Sequence, residues 1–478
     1  GGLRARLASA GLLSPELMVE LVRLDNPEAA QFDRTAEPYP ELPSTASDLP
    51  DFTATAEGAM ERISQLPVEE LMAQAISTEM GAPIDWSREQ QVTSGTWHLK
   101  GMIRAAKAME WDRPFSERNA DERLIYEPIG VAALITPWNW PMNQIMLKVA
   151  PALAAGCTMV LKPSEIAPLS GIVFAEIVDA ADIPAGVFNM VNGDGPGVGS
   201  QLSAHPDVDV VSFTGSTRAG RLISIAAADT IKRVSLELGG KGANLIFADA
   251  DEKAVARGAN RCFNNSGQSC NAPTRMMVER SRYAEAVEIA AKAAEARAVR
   301  PATETGGHIG PVVSETQYEK IQALIQKGID EGARLVAGGP GRPQGLNRGY
   351  FVRPTVFADV TPEMTIYREE IFGPVLSILP FEEEEEAVRI ANDIPFGLAA
   401  GIWTRDINRA MRLVPQMRTG GVWVNTYRMV AAQAPFGGTK ESGFGRERGE
   451  QGILDFTVQK NVMIDWSGTA SDPFAIKN

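Results

Sequence analysis

The chain has 478 residues, 44% hydrophobic and 22% charged, with a net charge of −14. That length calls for two or three domains, and the acidic balance argues against nucleic acid or an anionic membrane as the main partner. Three cysteines exclude a disulfide framework and suggest a reducing compartment, and three scattered histidines (His98, His205, His308) without a Cys-x-x-Cys give no metal site. No apolar run approaches the roughly 18 residues that span a bilayer. Glu16 and Glu20 interrupt the one stretch that could serve as a leader, so the expected address is the cytoplasm.

Along the chain, residues 34–56 mix Pro, Ser, Thr and acidic residues without periodicity and read as loop. Helical character is expected from Glu61 onwards, with Pro67 as an interruption. From about residue 130, β-rich runs at 131–135, 158–161, 187–191 and 208–213 alternate with helical stretches such as 170–181. That rhythm predicts an α/β fold, a doubly wound parallel sheet covered on both faces. A second α/β pattern follows Gly239-Gly240, with a strand at 244–247, helices over 252–266 and 281–298, and further α/β structure from 310 to 440. The carboxylate run Glu382 to Glu386 reads as the solvated first turn of a helix. The final strand, 460–466, has no local partner and is expected to pair with another element or another subunit.

Two residues are oddly placed. Cys270 lies in Asn264-Asn265-Ser266-Gly267-Gln268-Ser269-Cys270-Asn271, a polar turn that does not suit core filling, whereas Cys157 has the apolar neighbours of a structural cysteine. Glu237, between Leu236 and Leu238 and beside the double glycine, is either costly burial or a tuned base. A nucleophilic sulfur and a base are the core of covalent catalysis. Ser212 to Gly220 follows a strand and opens a helix, so its backbone N–H groups can approach a pyrophosphate, although the spacing is not Gly-x-Gly-x-x-Gly. Gly193 to Gly199 reads on composition as a turn before a helix. Lys162 and Glu165, at a strand's end, read equally as a grip on ribose hydroxyls or as a surface ion pair.

Taken together, Thr136-Pro137-Trp138-Asn139-Trp140-Pro141, Leu161 to Glu165, Phe213 to Gly220, Leu236 to Gly240, Gly267 to Cys270, Glu369 to Val375 and Pro435 to Gly443 resemble the aldehyde dehydrogenase superfamily, in its order and from about residue 76 onwards. The resemblance implies an aldehyde dehydrogenase-like α/β fold with two doubly wound Rossmann-like domains and a small β oligomerisation arm. The dinucleotide-binding domain would span 1–108 and 129–239, with 1–75 divergent. The catalytic domain would span 240–458, and the arm 109–128 and 459–478, making a homodimer or homotetramer. It implies that Cys270 attacks the aldehyde, Asn139 and the Cys270 N–H stabilise the oxyanion, Glu237 activates the hydrolytic water, and Lys148 lies near them, or serves as an ion-pair partner.

The implied cofactor residues are Thr136, Pro137, Trp138, Lys162, Ser164, Glu165, Gly195, Gly199, Phe213, Gly215, Ser216, Gly220, Leu238, Glu370 and Phe372. NAD is favoured over NADP because a carboxylate at Glu165 would repel a 2′-phosphate. An acylating, CoA-dependent enzyme is a rival within the family, opposed by the presence of Glu237. An inactive binding or structural member of the fold is the rival from another class. The chain departs from the family pattern at its start, where Asp25-Asn26-Pro27 is a weak echo, and at Thr439, where an aromatic is more usual.

The substrate tunnel is expected to draw on Gln144, Leu147, Ser269, Asn271, Arg428 and Val430. If Arg428 points inward, it can bind a carboxylate-bearing semialdehyde; if outward, it is an interface salt-bridge residue. Leu147, Met429 and Val430 equally suit an apolar or aromatic aldehyde.

Overall fold

The computed structural model describes residues 3–9, 17–23, 52–66, 68–116, 119–429 and 431–464. The weak echo at Asp25 to Pro27, Pro67, Val430 and residues 465–478 lie outside them. The described residues form two compact units, one of 59–109 with 128–458, the other within 1–58, 110–127 and 459–478. No helix among the described residues is long and apolar enough to cross a membrane.

Among the described residues the larger unit holds two large sheets, besides the short pair Phe396–Gly397 and Thr439–Lys440. The first runs Gly443–Phe444, Arg233–Glu237, Val210–Thr214, Val131–Ile135, Thr158–Lys162, Phe188–Met190. Its five successive strands from Val131 are parallel, and only Gly443–Phe444 pairs antiparallel, placing Gly443 opposite Glu237. In chain order the parallel strands read 3-2-1-4-5. The direction of winding therefore reverses between Val131–Ile135 and Val210–Thr214, and a crevice opens beyond their carboxyl ends. Ala133, Val211, Phe213, Leu236 and Leu238 pack as one core cluster on this sheet.

The second sheet runs Arg334–Ala337, Thr355–Ala358, Val375–Phe381, Arg275–Glu279, Ala243–Ile246, Ala399–Trp403, Gly421–Val424, and is parallel except for the Arg334–Ala337 edge. Leu245 joins the core on one face and Ile246 the core on the other, as strand alternation requires. The two α/β sheets meet the expectation from periodicity. The second sheet follows the double glycine, with the late Gly443–Phe444 returning to the first.

Three expectations need correction. Helix begins at Phe52, not Glu61: buried Ala56, Ala59, Met60 and Ile63 recur at helical spacing, but only two alanines and Met60 of that stripe precede Glu61, too short a run to stand out. The helix expected over 252–266 is Ala254–Phe263, because Asn265, Ser266 and Gly267 are left-handed (φ 56, 54 and 74) and cannot continue it. The terminal strand pairs with another element, one of its two expected outcomes, although it starts at Thr457 rather than 460. Thr457–Met463 joins Asn119–Pro128 and Asp112–Ser116 in a three-stranded sheet, and Lys460 pairs with Glu127 at 2.5 Å. The acidic run does open a helix, Glu384–Asn392, yet it is not merely solvated: Glu384 binds Arg409 and Arg412, and Glu382 binds Arg280. Thr439 donates to the carbonyls of Gly397 (3.1 Å) and Arg418 (3.2 Å), a short polar seat in place of an aromatic.

Candidate active site

The Ala254–Phe263 helix delivers the cysteine turn. Its buried Ala254, Val255, Gly258, Ala259, Cys262 and Phe263 anchor it, and full burial of Phe263 alone is worth about 1.5–3 kcal/mol. The left-handed run that ends it reverses the chain. At Gly267 any Cβ would collide with the backbone of Gly373 and Pro374, so this position requires glycine. Gly240 is required for a similar reason, since a Cβ there would lie 2.5 Å from the Cys270 carbonyl oxygen. The double glycine thus lets the strand carrying Glu237 pass close under the cysteine turn.

Asn139 is buried and holds this turn. Its Nδ2 donates to the Gln268 carbonyl (3.1 Å), and its carbonyl accepts from Asn265 Nδ2 (3.0 Å) and Gln91 Nε2 (3.2 Å). An amide carries two N–H bonds, so one remains for a ligand oxygen. Trp140 Nε1 donates to Ser269 Oγ (2.9 Å), fixing the residue before Cys270.

Glu237 is 4% exposed, and neither carboxylate oxygen has a hydrogen-bond partner. Burial, with the charge of Glu447 added to it, holds its carboxyl well above the usual range, so it binds a proton more tightly than an ordinary carboxylate. Lys148, also buried, donates to Glu447 Oε1 (3.0 Å) and Ser212 Oγ (3.1 Å). Lys148 is therefore an ion-pair partner as well as a neighbour of Glu237. Burial pushes the Cys270 thiol up to about 12, with Glu237, Glu370 and Glu447 adding to it and Arg428 opposing. Cys157 and Cys262 are likewise held up by burial, to about 11 and about 12. Cys270 alone of the three is partly exposed.

The residues expected around a cofactor sit at carboxyl ends of the first sheet. Thr136, Pro137 and Trp138 follow Val131–Ile135; Lys162, Ser164 and Glu165 end Thr158–Lys162; Phe213, Gly215 and Ser216 end Val210–Thr214. Lys162 is 2% exposed and donates to the Pro163 carbonyl (2.9 Å) and to Glu165, whose carboxylate is 48% exposed (3.2 Å). That pair presents a buried cation and an open anion, which fits a diol. Ser216 is exposed and caps the Thr217–Ala228 helix through the Ala219 N–H (3.2 Å). Gly220 in that helix packs against Leu238 with no room for a side chain. Gly195 and Gly199 bound a helical turn pinned by Asp194 accepting from Gly197 N (2.8 Å), and a side chain added at Gly199 would meet the Lys162 stem.

From the second sheet's side, Glu370 accepts from Gly240 N (2.9 Å), and burial raises it to about 7. Phe372, left-handed at φ 57, meets the Trp138 ring edge to face at 5.3 Å. Lys241, fully buried with an unpartnered Nζ, is pulled down to about 7 by burial and then by Arg275. Such a set of open hydroxyl partners, helix N-terminus and aromatic edge fits a dinucleotide.

A cavity of about 500 Å³ opens onto Cys270. Of the residues expected to line a tunnel, Gln144, Leu147, Ser269, Asn271 and Arg428 line it, and Arg428 therefore faces inward. Sequence reasoning missed Trp86, Trp97, His98, Phe436 and Arg448 on the same walls. A signal for part of this existed: Gln90, Thr93, Ser94, Trp97 and His98 form a mixed polar and aromatic stripe at helical spacing, which is neither core nor plain surface. Burial first, then Arg448, pushes His98 well below its usual range.

The chain belongs to the aldehyde dehydrogenase family, whose sequence model matches residues 59–462. It is an NAD(P)-dependent aldehyde dehydrogenase, an oxidoreductase acting on the aldehyde group. Among its relatives is 3-succinoylsemialdehyde-pyridine dehydrogenase from a Pseudomonas species, 52% identical over 82% of each chain. Among solved structures, the aldehyde dehydrogenase of Bartonella henselae superposes with TM-score 0.85 at 56% identity, covering 86% of this chain and 87% of that one. Aldehyde dehydrogenase C of Pseudomonas syringae, a mutant complexed with NAD+ and octanal, gives 0.83 at 46% identity, covering 86% and 84%.

Proposed function

We propose that the enzyme oxidises an aldehyde to its carboxylic acid with NAD, through a covalent intermediate on Cys270. The observation that carries this reading is a partly exposed thiol at a cavity wall, next to a buried carboxyl with two free oxygens and an amide tied to the same turn. Cys270 Sγ bonds to the carbonyl carbon as the thiol proton leaves. Because the free thiol is held up, this step needs a proton acceptor, and the raised Glu237 carboxylate suits that task. The developing oxyanion is met by the spare Asn139 N–H and the Cys270 backbone N–H. Bound NAD supplies the acceptor for the hydride. Once Glu237 has passed that proton to solvent, it takes a proton from water, the hydroxyl adds to the thioester, the carbon–sulfur bond breaks, the sulfur regains a proton from Glu237, and acid and thiol are released.

Lys162 and Glu165 would hold the adenosine ribose, Ser216 the pyrophosphate, and Glu370 with Phe372 the nicotinamide side. The open Glu165 carboxylate favours NAD over NADP, and a solved relative complexed with NAD+ supports the same choice. Glu237 opposes the acylating, CoA-dependent reading. Intact Cys270, Asn139 and Glu237 oppose an inactive member. The edge strand Thr457–Met463 suits pairing with a second copy into a cytoplasmic homodimer or homotetramer, a matter for light scattering.

The test is NADH formation from benzaldehyde, an aliphatic aldehyde, betaine aldehyde and succinic semialdehyde, each with and without CoA. Turnover without CoA supports hydrolysis, and strict dependence on CoA overturns it.

A further inference from the structure

Two arginines in the cavity are not used by the chemistry above. Nε and Nη2 of Arg428 are buried without a hydrogen-bond partner, as is Nε of Arg448. Both line the cavity that reaches Cys270. Arg448 rests over the Phe436 ring at 4.5 Å, which offsets part of its desolvation, but a ring face accepts no in-plane N–H bond. Glu447, the residue preceding Arg448, is engaged by Lys148 instead. The described residues lining the cavity include no Asp or Glu, and a third cation, Arg261, is exposed among them. Three tryptophans, Trp86, Trp97 and Trp140, supply much of the apolar wall.

A guanidinium offers five N–H donors and no acceptor. Buried without a partner it is costly, and an oxygen-bearing ligand removes that cost. We propose that the substrate is a bifunctional aldehyde whose second oxygen function, a carboxylate or a ketone, is held by the guanidinium groups of Arg428 and Arg448 while its aldehyde carbon meets Cys270. This rests on the aldehyde-oxidising reading of the cavity. A plain alkyl aldehyde of equal length fills the same volume and leaves the donors unpaired. Selection against it therefore comes from the unpaired donors rather than from fit.

The experiment compares pentanal, 4-oxopentanal and 4-oxobutanoate at saturating NAD. We expect kcat/KM for 4-oxopentanal or 4-oxobutanoate to exceed that for pentanal by at least about tenfold. The better of the two identifies the group as ketone or carboxylate. In Arg428→Met and Arg448→Met the ratio should fall towards one, mostly through KM, and Arg428→Lys should restore part of a carboxylate preference. Equal kcat/KM across the three aldehydes, or a ratio unchanged in both methionine variants, overturns the proposal. Binding without chemistry separates its failure from that of the catalytic reading. Saturable quenching of tryptophan fluorescence by succinate or 2,5-hexanedione, lost in Arg428→Met, upholds the oxygen site even if no aldehyde turns over. Absence of quenching by both, with no aldehyde turned over, removes the site and the catalytic reading together.

Discussion

Arg275 and Arg428 are both buried guanidinium groups, and they differ in what meets them. Arg275, in the middle of the second sheet, donates Nε to the Lys241 carbonyl (3.0 Å), Nη1 to that of Ile390 (3.0 Å) and Nη2 to that of Ala391 (2.9 Å), with the Tyr367 ring 4.9 Å below. Arg428, in the cavity, has buried Nε and Nη2 with no partner at all. The first ties one loop carbonyl and two carbonyls at the end of the Glu384–Asn392 helix to a strand, and belongs to the fold. The second carries an unmet requirement, and folding provides no reason for it. Glu237 belongs with the second kind, since both its oxygens are equally unmet. Burial alone marks neither kind; what separates them is whether the protein supplies the partners.

That distinction can be broken or sharpened by substitution. The largest effect is expected at Cys270→Ala, which should abolish NADH formation while the thermal midpoint and NAD binding stay put; normal turnover would refute the covalent mechanism. Glu237→Gln comes next: with no acceptor for either the thiol proton or the water proton, both the first turnover and the steady rate of NADH formation should fall by about 10²-fold or more. Because burial holds Glu237 protonated well above the usual carboxylate range, wild-type activity should climb with pH as it ionises. The glutamine variant should lose that acidic limb, and an unshifted profile would remove Glu237 from the base role. Arg275→Met should leave three carbonyls unpaired and cost about 3 kcal/mol in urea unfolding, with little change in substrate preference. The smallest effect on stability is expected at Arg428→Met, within about 0.5 kcal/mol of wild type or on the stabilising side. A loss at Arg428→Met equal to that at Arg275→Met would erase the contrast.

Local pattern made the parallel strands at 131–135 and 158–162 legible, as apolar runs between turn residues. Cys270 and Glu237 were legible because each violated its surroundings, a thiol among polar residues and a carboxylate among apolar ones. The reason for the cysteine's reactivity was not. A polar turn suggests an activated thiolate, yet the three thiols are held up alike, and Cys270 differs from Cys157 and Cys262 in access. Reactivity is therefore expected to come from a base and an open cavity wall. The Lys148–Glu447 pair spans 299 residues and leaves no trace in either local sequence. The direction of Arg428 depends on a left-handed backbone (φ 59) that the run Asn425 to Met429 does not announce. The helix from Phe52 escaped notice because only Ala56, Ala59 and Met60 of its buried stripe precede Glu61.

The strand carrying Glu237 has a further consequence. It is flanked on its outer side by Gly443–Phe444, and Leu238 N donates to the Ser442 carbonyl (3.0 Å). Ser442 Oγ also donates to the carbonyl of Gly239, 203 residues earlier (2.7 Å). During synthesis the ribosome releases Glu237 long before the segment that walls it in. The nascent chain must therefore carry an open edge on its first sheet until Ser442 to Phe444 emerge. A polypeptide cut short before Ser442 would keep the cysteine turn and the dinucleotide crevice in its sequence, yet leave the base on an unsealed strand. Arrival of Ser442 to Phe444 thus doubles as a check on the competence of the base.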